Sequence, residues 1–326
     1  MQSVLGIDVS KDSLDVVLVK GERSDHKVFS NSGVGHKRLH NWLIAQQAGQ
    51  VHACLEATGQ YGEGVTEHLY HCGHQVSVVN PARIKRYGES KLHRNKTDKA
   101  DAALIAEFCQ KEKPVLWTPL PPPVKYLRAL VRRLEDLQSA YQQERNRLCS
   151  GERNSWVLDD LQAHLDYLKK RIGVARQTIQ QHIEQNPDLK SQQELLISIP
   201  GIGKLTAARL LAEIGDISAF EGAPQLAAYA GLNPTGSRSG SSVYKKTHIS
   251  KQGRAFLRKL LYMPAIVARK YNPVIRQFCG RLSEHRLPEM AIVAAAMRKL
   301  LHIVFGVLKN QLPFDADFGR QFDFSS

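Results

Sequence analysis

Asp8 stands inside an apolar run over residues 3–9, where a carboxylate is costly to bury unless it is paired or bound to a metal. Glu56 ends a second such run, immediately before Ala57-Thr58-Gly59, and Asp98 and Asp101 lie three apart where a helix is expected to begin. Residues at that spacing share one helix face. Four acids on two strands and one helical turn predict a set of hard oxygen ligands beside a sheet, suited to Mg²⁺ or Mn²⁺ rather than zinc. Two such ions about 4 Å apart would stabilise the attacking and leaving oxygens of a phosphodiester displacement. Each acid alone has a plainer role: Asp98 and Asp101 could serve the positive end of a helix, Glu56 could cap a loop, and Asp8 could join an ion pair. Arg83, Lys85, Arg86, Lys91, Arg94, Lys96 and Lys99 surround the acid pair and would suit a nucleic-acid backbone.

A second group of chemically able residues lies near the other end of the chain. Ser237, Ser239, Ser241 and Ser242 share a Gly-containing stretch with Arg238, Lys245 and Lys246, followed by Lys251 and Arg254. A serine becomes a nucleophile when it is activated, and this stretch lies in the most basic part of the chain. Spacing does not choose among the four serines, and a flexible loop would have the same composition. Ile199-Pro200-Gly201-Ile202-Gly203-Lys204 reads as a helix-hairpin-helix-like turn, in which Gly201 and Gly203 allow close approach to a phosphate and the following helix, expected over 205–214, offers its N-terminal N–H groups. A tight interhelical turn has the same spacing.

The elements that must hold these residues follow from periodicity. Residues 3–9 and 13–19 alternate around Ser10-Lys11-Asp12 and predict a β-hairpin. A third strand is expected near 26–30, a helix over 34–47, a strand over 51–56, a helix over 62–72, a strand over 75–79 and a helix over 98–109 opened by Thr97. That order predicts a mixed sheet covered by helices over residues 1–120, ending at the breaker formed by Pro119, Pro121, Pro122 and Pro123. Leu127, Leu130, Leu134, Leu137 and Tyr141, then Leu161, Leu165, Leu168, Ile172, Ala175 and Ile179, recur at heptad steps. They predict a helical coiled-coil segment over 121–188, antiparallel or intermolecular. Residues 189–326 read as a mostly helical domain carrying the serine stretch.

Charge bounds the partner. The 326 residues carry 45 Lys and Arg against 31 Asp and Glu, a net charge of +14. Residues 236–309 alone hold 15 basic residues against Glu284 and Glu289, while the remainder holds 30 basic and 29 acidic groups. Such a concentration is the footprint of a polyanion partner. No run of 18 apolar residues is present, so no membrane partner is expected. The first residues run straight into a strand pattern and so predict no secretion signal. Five scattered cysteines without a CxxC pair predict a reducing, cytoplasmic setting and exclude a disulfide scaffold.

Taken together, Gly6-Ile7-Asp8-Val9-Ser10-Lys11-Asp12, Leu55-Glu56-Ala57-Thr58-Gly59, Asn95-Lys96-Thr97-Asp98-Lys99-Ala100-Asp101, Ile199-Pro200-Gly201-Ile202-Gly203, Ala230-Gly231-Leu232-Asn233-Pro234 and Ser239-Gly240-Ser241-Ser242 resemble the DEDD transposases of the insertion-sequence-110 family, in order along nearly the whole chain. The resemblance implies a RuvC-like, RNase H-fold N-terminal domain whose four acids are Asp8, Glu56, Asp98 and Asp101. It also implies a C-terminal transposase domain with Ser239 as nucleophile, and a structured bridge RNA that pairs with target and donor DNA. A tetramer, a dimer of dimers with composite sites, is implied as well. Two other classes fit the residues: a RuvC-like junction nuclease using metal-activated water, and a non-catalytic RNA- and DNA-binding module.

Overall fold

A computed structural model describes residues 3–57, 59–91, 97–235, 238–239, 243–244 and 248–317, with backbone alone at 238–239 and 243–244. The chain divides into two units, Met1–Pro119 and Leu120–Ser326.

The alternation at the start of the chain builds a meander of β1 (Val4–Val9), β2 (Ser13–Lys20) and β3 (Arg23–Ser30), the last beginning three residues earlier than the sequence suggested. After α1 (Gly33–Ala45), β4 (His52–Glu56), α2 (Glu63–His71) and β5 (Gln75–Val79) complete a five-stranded sheet in the order β3-β2-β1-β4-β5. The meander pairs are antiparallel, whereas β1–β4 and β4–β5 are parallel. Two helices follow, α3 (Pro81–Ser90) and α4 (Asp98–Glu112). The first is absent from the sequence reading.

Successive side chains alternate between the two faces of a strand, and the two faces of this sheet bury different layers. Leu5, Ile7, Leu14, Val16, Leu18, Ala53 and Leu55 join Leu39 and Leu43 of α1 and Val65 and Leu69 of α2 in one core. On the other face, Val4, Val17, Cys54 and Val79 pack with Ile84 of α3 and with Ala102, Ile105, Ala106 and Cys109 of α4. Gly6 belongs to this second face. A Cβ there would lie 2.1 Å from the Ala102 carbonyl oxygen and 2.5 Å from the Ala106 nitrogen, so the glycine is what lets α4 lie directly on β1.

The second unit is helical apart from two short ribbons. It comprises α5 (Pro122–Leu148), α6 (Ser155–Glu184), α7 (Pro187–Ile197), α8 (Lys204–Ile214) and α9 (Ala223–Tyr229). The strand pairs β6 (Pro234–Thr235) with β9 (His248–Ile249) and β7 (Arg238–Ser239) with β8 (Val243–Tyr244) come next, then α10 (Ala255–Tyr271), α11 (Pro273–Glu284) and α12 (Glu289–Asn310). Helix α5 lies against α6, and Leu161, Leu165 and Leu168 are buried. Leu127, Val131 and Leu134 of α5 also enter the same core as α8, α10 and α12. The Arg128 guanidinium further ties α5 to α8 by donating to the Ala212 carbonyl at 2.7 Å. Segment 121–188 therefore shares its core with the helices that follow it. Helix α12 has a mean hydropathy of 1.8, enough by length and composition to cross a membrane. Its Ile292, Ala296, Leu300, Leu301 and Val304 instead fill the centre of this unit's core.

Candidate functional site

The register of the sheet gathers the first group of acids. Gly6 pairs with Cys54 and Ile7 with Leu55 across β1 and β4, and Asp8 and Glu56 follow that last pair, on the strand faces that alternation turns toward α4. Both are half-buried. Helix α4 starts above them: the Thr97 hydroxyl accepts from the Ala100 amide at 3.2 Å, and Asp98 and Asp101 occupy the first turn. There they also complement the positive helix end. Seated on Gly6, the helix carries its two carboxylates to the neighbourhood of Asp8.

The electrostatics record that proximity. Burial, then the charges of Asp101, Asp98 and Asp15, hold the Asp8 carboxyl above its ordinary value of 3.8, against a lowering hydrogen bond from the Val9 amide. Like charges that disfavour ionisation in this way are relieved by a cation. Oxygen-only donors fit a hard divalent ion. Among the described residues, no three His, Cys, Asp or Glu side chains are drawn tightly enough together to form a ready-made cage. The acids thus stand as an electrostatic group around Asp8. Of the surrounding cations, the Arg83 guanidinium stacks over the Phe108 ring at 5.4 Å, Lys91 pairs with Glu107 at 2.7 Å, and Lys85, Arg86 and Lys99 are exposed. Arg94 and Lys96 lie outside the described residues.

One acid at this place went unread in the sequence. Asp15 sits directly opposite Asp8 in the β1–β2 ladder, and its Oδ1 is 2.9 Å from His26 Nε2. The available signal was the hairpin itself: with the turn at residues 10–12, alternation puts Asp15 on the face of Asp8.

The described parts of the serine stretch are two short strand pairs above a backbone-bonded base. Pro234 and Thr235 pair with Ile249 and His248, and the Ser250 amide donates to the Asn233 carbonyl at 2.8 Å. Below them the Lys251 amide donates to Gly231, the Arg254 amide to Tyr229, and the Arg258 guanidinium to the carbonyls of Ala230 and Gly253 at 3.0 and 3.2 Å. A Cβ on Gly253 would lie 2.4 Å from the Tyr229 oxygen, so the two sides of the base meet backbone to backbone. Arg254 also stacks over the Tyr229 ring at 5.5 Å, and Lys251 is exposed. Farther out, Ser239 ends β7 opposite Val243, and Arg238 is opposite Tyr244. The side chains of Arg238 and Ser239, together with Lys245, Lys246 and the other three serines, lie outside the described residues.

The turn between α7 and α8 divides its glycines by role. Gly201 has φ +109°, and a Cβ there would sit 2.9 Å from Ala268 Cβ and 3.0 Å from the Pro264 oxygen, both on α10. Its close approach is spent on a neighbouring helix. Gly203 is open on its Cβ side and precedes α8, with Lys204 exposed beside it.

A transposase model of the IS110 DEDD type matches residues 5–151, and the model for transposases of the IS116/IS110/IS902 family matches residues 193–279. A pilin gene-inverting protein of Moraxella bovis is 34% identical over 318 residues, spanning 96% of this chain and 98% of that protein. The transposase for insertion sequence element IS1111A of Coxiella burnetii is 27% identical over 293 residues, 79% of this chain and 75% of that one. Among solved structures, T. thermophilus RuvC in complex with Holliday junction substrate overlaps 34% of this chain and 96% of that chain at 16% identity. The TM-score of that overlap is 0.27.

Proposed function

Because the chain belongs to the IS116/IS110/IS902 family of transposases and is a DNA transposase/recombinase, we propose that it excises and integrates an insertion sequence by forming a covalent protein–DNA link on Ser239, assisted by a divalent cation at Asp8, Glu56, Asp98 and Asp101. The observation that carries this reading is that Asp8 and Glu56 each stand one residue beyond the Ile7–Leu55 pair of β1 and β4, with Asp98 and Asp101 brought close to Asp8 by α4. The strand order 3-2-1-4-5 with its antiparallel meander supports an RNase H-like domain. Mg²⁺ or Mn²⁺ bound there would supply charge stabilisation at the scissile phosphate.

The chain's own residues do the rest. Ser239 Oγ gives up its proton and forms a bond to phosphorus as the P–O3′ bond breaks and the 3′ oxygen takes up a proton. A 5′-phosphoserine link results. A second strand's 3′ hydroxyl reverses the step, so phosphodiester bonds are conserved without ATP. Arg238, Lys245, Lys246, Lys251, Arg254, Gly203 and Lys204 hold DNA or RNA backbone, with Arg94 and Lys96 doing so beside the acids. The excess charge of residues 236–309 supports a structured bridge RNA whose pairing with target and donor DNA selects the sites. A tetramer joined through α5 and α6 would bring acids and serine from different protomers together, on the nucleoid of a prokaryotic cytoplasm.

The experiment is to incubate the protein with DNA carrying both element ends, the RNA that co-purifies and Mg²⁺, then denature. The expected result is a DNA adduct that Ser239→Ala abolishes and that Asp8→Ala and Asp101→Ala reduce to background. An adduct surviving Ser239→Ala removes the serine assignment, and hydrolysed ends without adduct favour a water-using junction nuclease. The full-length similarity to a pilin gene-inverting protein favours a second reading, site-specific inversion. It would be recognised by inversion products from a substrate with two oppositely oriented sites.

A further inference from the structure

The acid opposite Asp8 has no place in the chemistry above. Asp15 lies on the sheet face of Gly6, Asp8 and Val17 that α4 and α3 cover, and its side chain is 14% exposed. Like charges directly opposed across an antiparallel pair destabilise it, and here the pair is two carboxylates in apolar strands. Among the described residues, His26 is the hydrogen-bond partner of Asp15, contacting Oδ1 alone at 2.9 Å. His26 reaches it from β3, where it stands opposite Val17 on the same face. This contact fixes one carboxylate oxygen. The negative charge of Asp15 bears on Asp8 along with those of Asp98 and Asp101.

We propose that Asp15, oriented by His26, is a positioning residue of the cation site: it adds a fifth negative charge that strengthens divalent-cation binding at Asp8, at the expense of the metal-free fold. The proposal rests on the reading of Asp8 as a cation ligand. It explains why a like-charge pair survives directly opposed in the ladder, since a nearby cation would turn repulsion into attraction. It also gives His26 a task that a plain surface ion pair lacks. The contact from Nε2 to Oδ1 holds the Asp15 carboxylate in place.

The test measures Mn²⁺ binding to the full chain by calorimetry and, in parallel, urea unfolding in excess EDTA. Asp15→Asn keeps an Oδ1 acceptor for His26 and removes only the charge. It is expected to weaken Mn²⁺ binding about 10- to 100-fold, the usual effect of losing a residue that supports metal ligands. In EDTA its unfolding midpoint should equal or exceed that of the natural protein, because the opposed charges are gone. His26→Ala is expected to weaken binding about 10-fold, and His26→Gln, which restores an N–H donor, to recover most of it. Natural Mn²⁺ affinity in Asp15→Asn, or a lowered midpoint in EDTA, overturns the proposal. The control is Asp8→Asn: if it binds Mn²⁺ normally, the cation reading itself fails. If it does not bind while Asp15→Asn does, only the role of Asp15 falls.

Discussion

Replacing Gly6 by alanine tests whether contact between α4 and β1 is what assembles the acids. The new Cβ would be 2.1 Å from the Ala102 oxygen and 2.8 Å from Ala106 Cβ, whereas ordinary contacts begin at 3.4 Å. Neither obstacle is a flexible side-chain tip; one is helix backbone and the other is fixed to it. Helix α4 must therefore withdraw by at least about 1.3 Å, the difference between 2.1 and 3.4 Å. Ala102, Ile105, Ala106 and Cys109, all buried to 1% exposure or less, would withdraw with it. Overpacking costs about 1–3 kcal/mol, and because backbone is struck the upper end, about 3 kcal/mol, is expected. Asp98 and Asp101 travel with the helix, and a misplacement of about 1 Å costs roughly 100-fold in rate. Urea unfolding followed by circular dichroism reads the first quantity, and excision of a marked DNA segment flanked by the element ends reads the second. Gly33→Ala is the control, since nothing lies within 4 Å of the Cβ it would add. Natural stability and excision rate in Gly6→Ala would refute the reasoning.

Three further outcomes follow from the geometry. Burial, foremost, holds the imidazoles of His36, His68 and His74 below their ordinary value of 6.5. The unfolded chain then binds more protons than the folded one, so stability is present above pH 6.5 and falls as pH drops below it. His74 Nδ1 already accepts the Val51 amide at 3.3 Å, so protonation breaks that bond. Thermal unfolding should fall between pH 7.5 and 5.5, less steeply in His74→Gln, and a flat profile would contradict this. Arg258→Ala removes both bonds to the ribbon base, costs about 1–3 kcal/mol and should reduce adduct formation while leaving Mn²⁺ affinity unchanged, as adduct yield and calorimetry will read. Gly201→Ala, at φ +109° against α10, should lose about 1–3 kcal/mol in thermal unfolding, whereas Gly203→Ala should stay within about 1 kcal/mol.

Strands with strict alternation were legible, and with them the two acids they carry. Asp8 and Glu56 follow from β1 and β4, and Thr97 announces the helix that begins at Asp98. Helix α3 escaped because Ile84 and Gly88 are its buried positions, too few to set a period. The signal it did offer was capping: Asn80 accepts the Ala82 amide and Pro81 opens the first turn. Asp15 escaped for another reason. A single acid in a strand reads as a solvent-facing residue until the opposing strand is aligned. In segment 121–188 the heptad revealed that leucines pack, but not that Leu127, Val131 and Leu134 pack into the following domain as well. Gly201 shows the same limit, because a glycine's spacing states that something comes close without saying whether it is a phosphate or Ala268.

The layer beneath α4 has a practical corollary in time rather than energy. Cys54 on β4 and Cys109 on α4 are both fully buried in it, and Cys149 stands exposed in the other unit. A thiol reagent meets Cys149 at once and reaches the other two when α4 lifts from the sheet. Their labelling rate is therefore a clock for how often the helix bearing Asp98 and Asp101 leaves its seat, readable in the intact chain without a substrate.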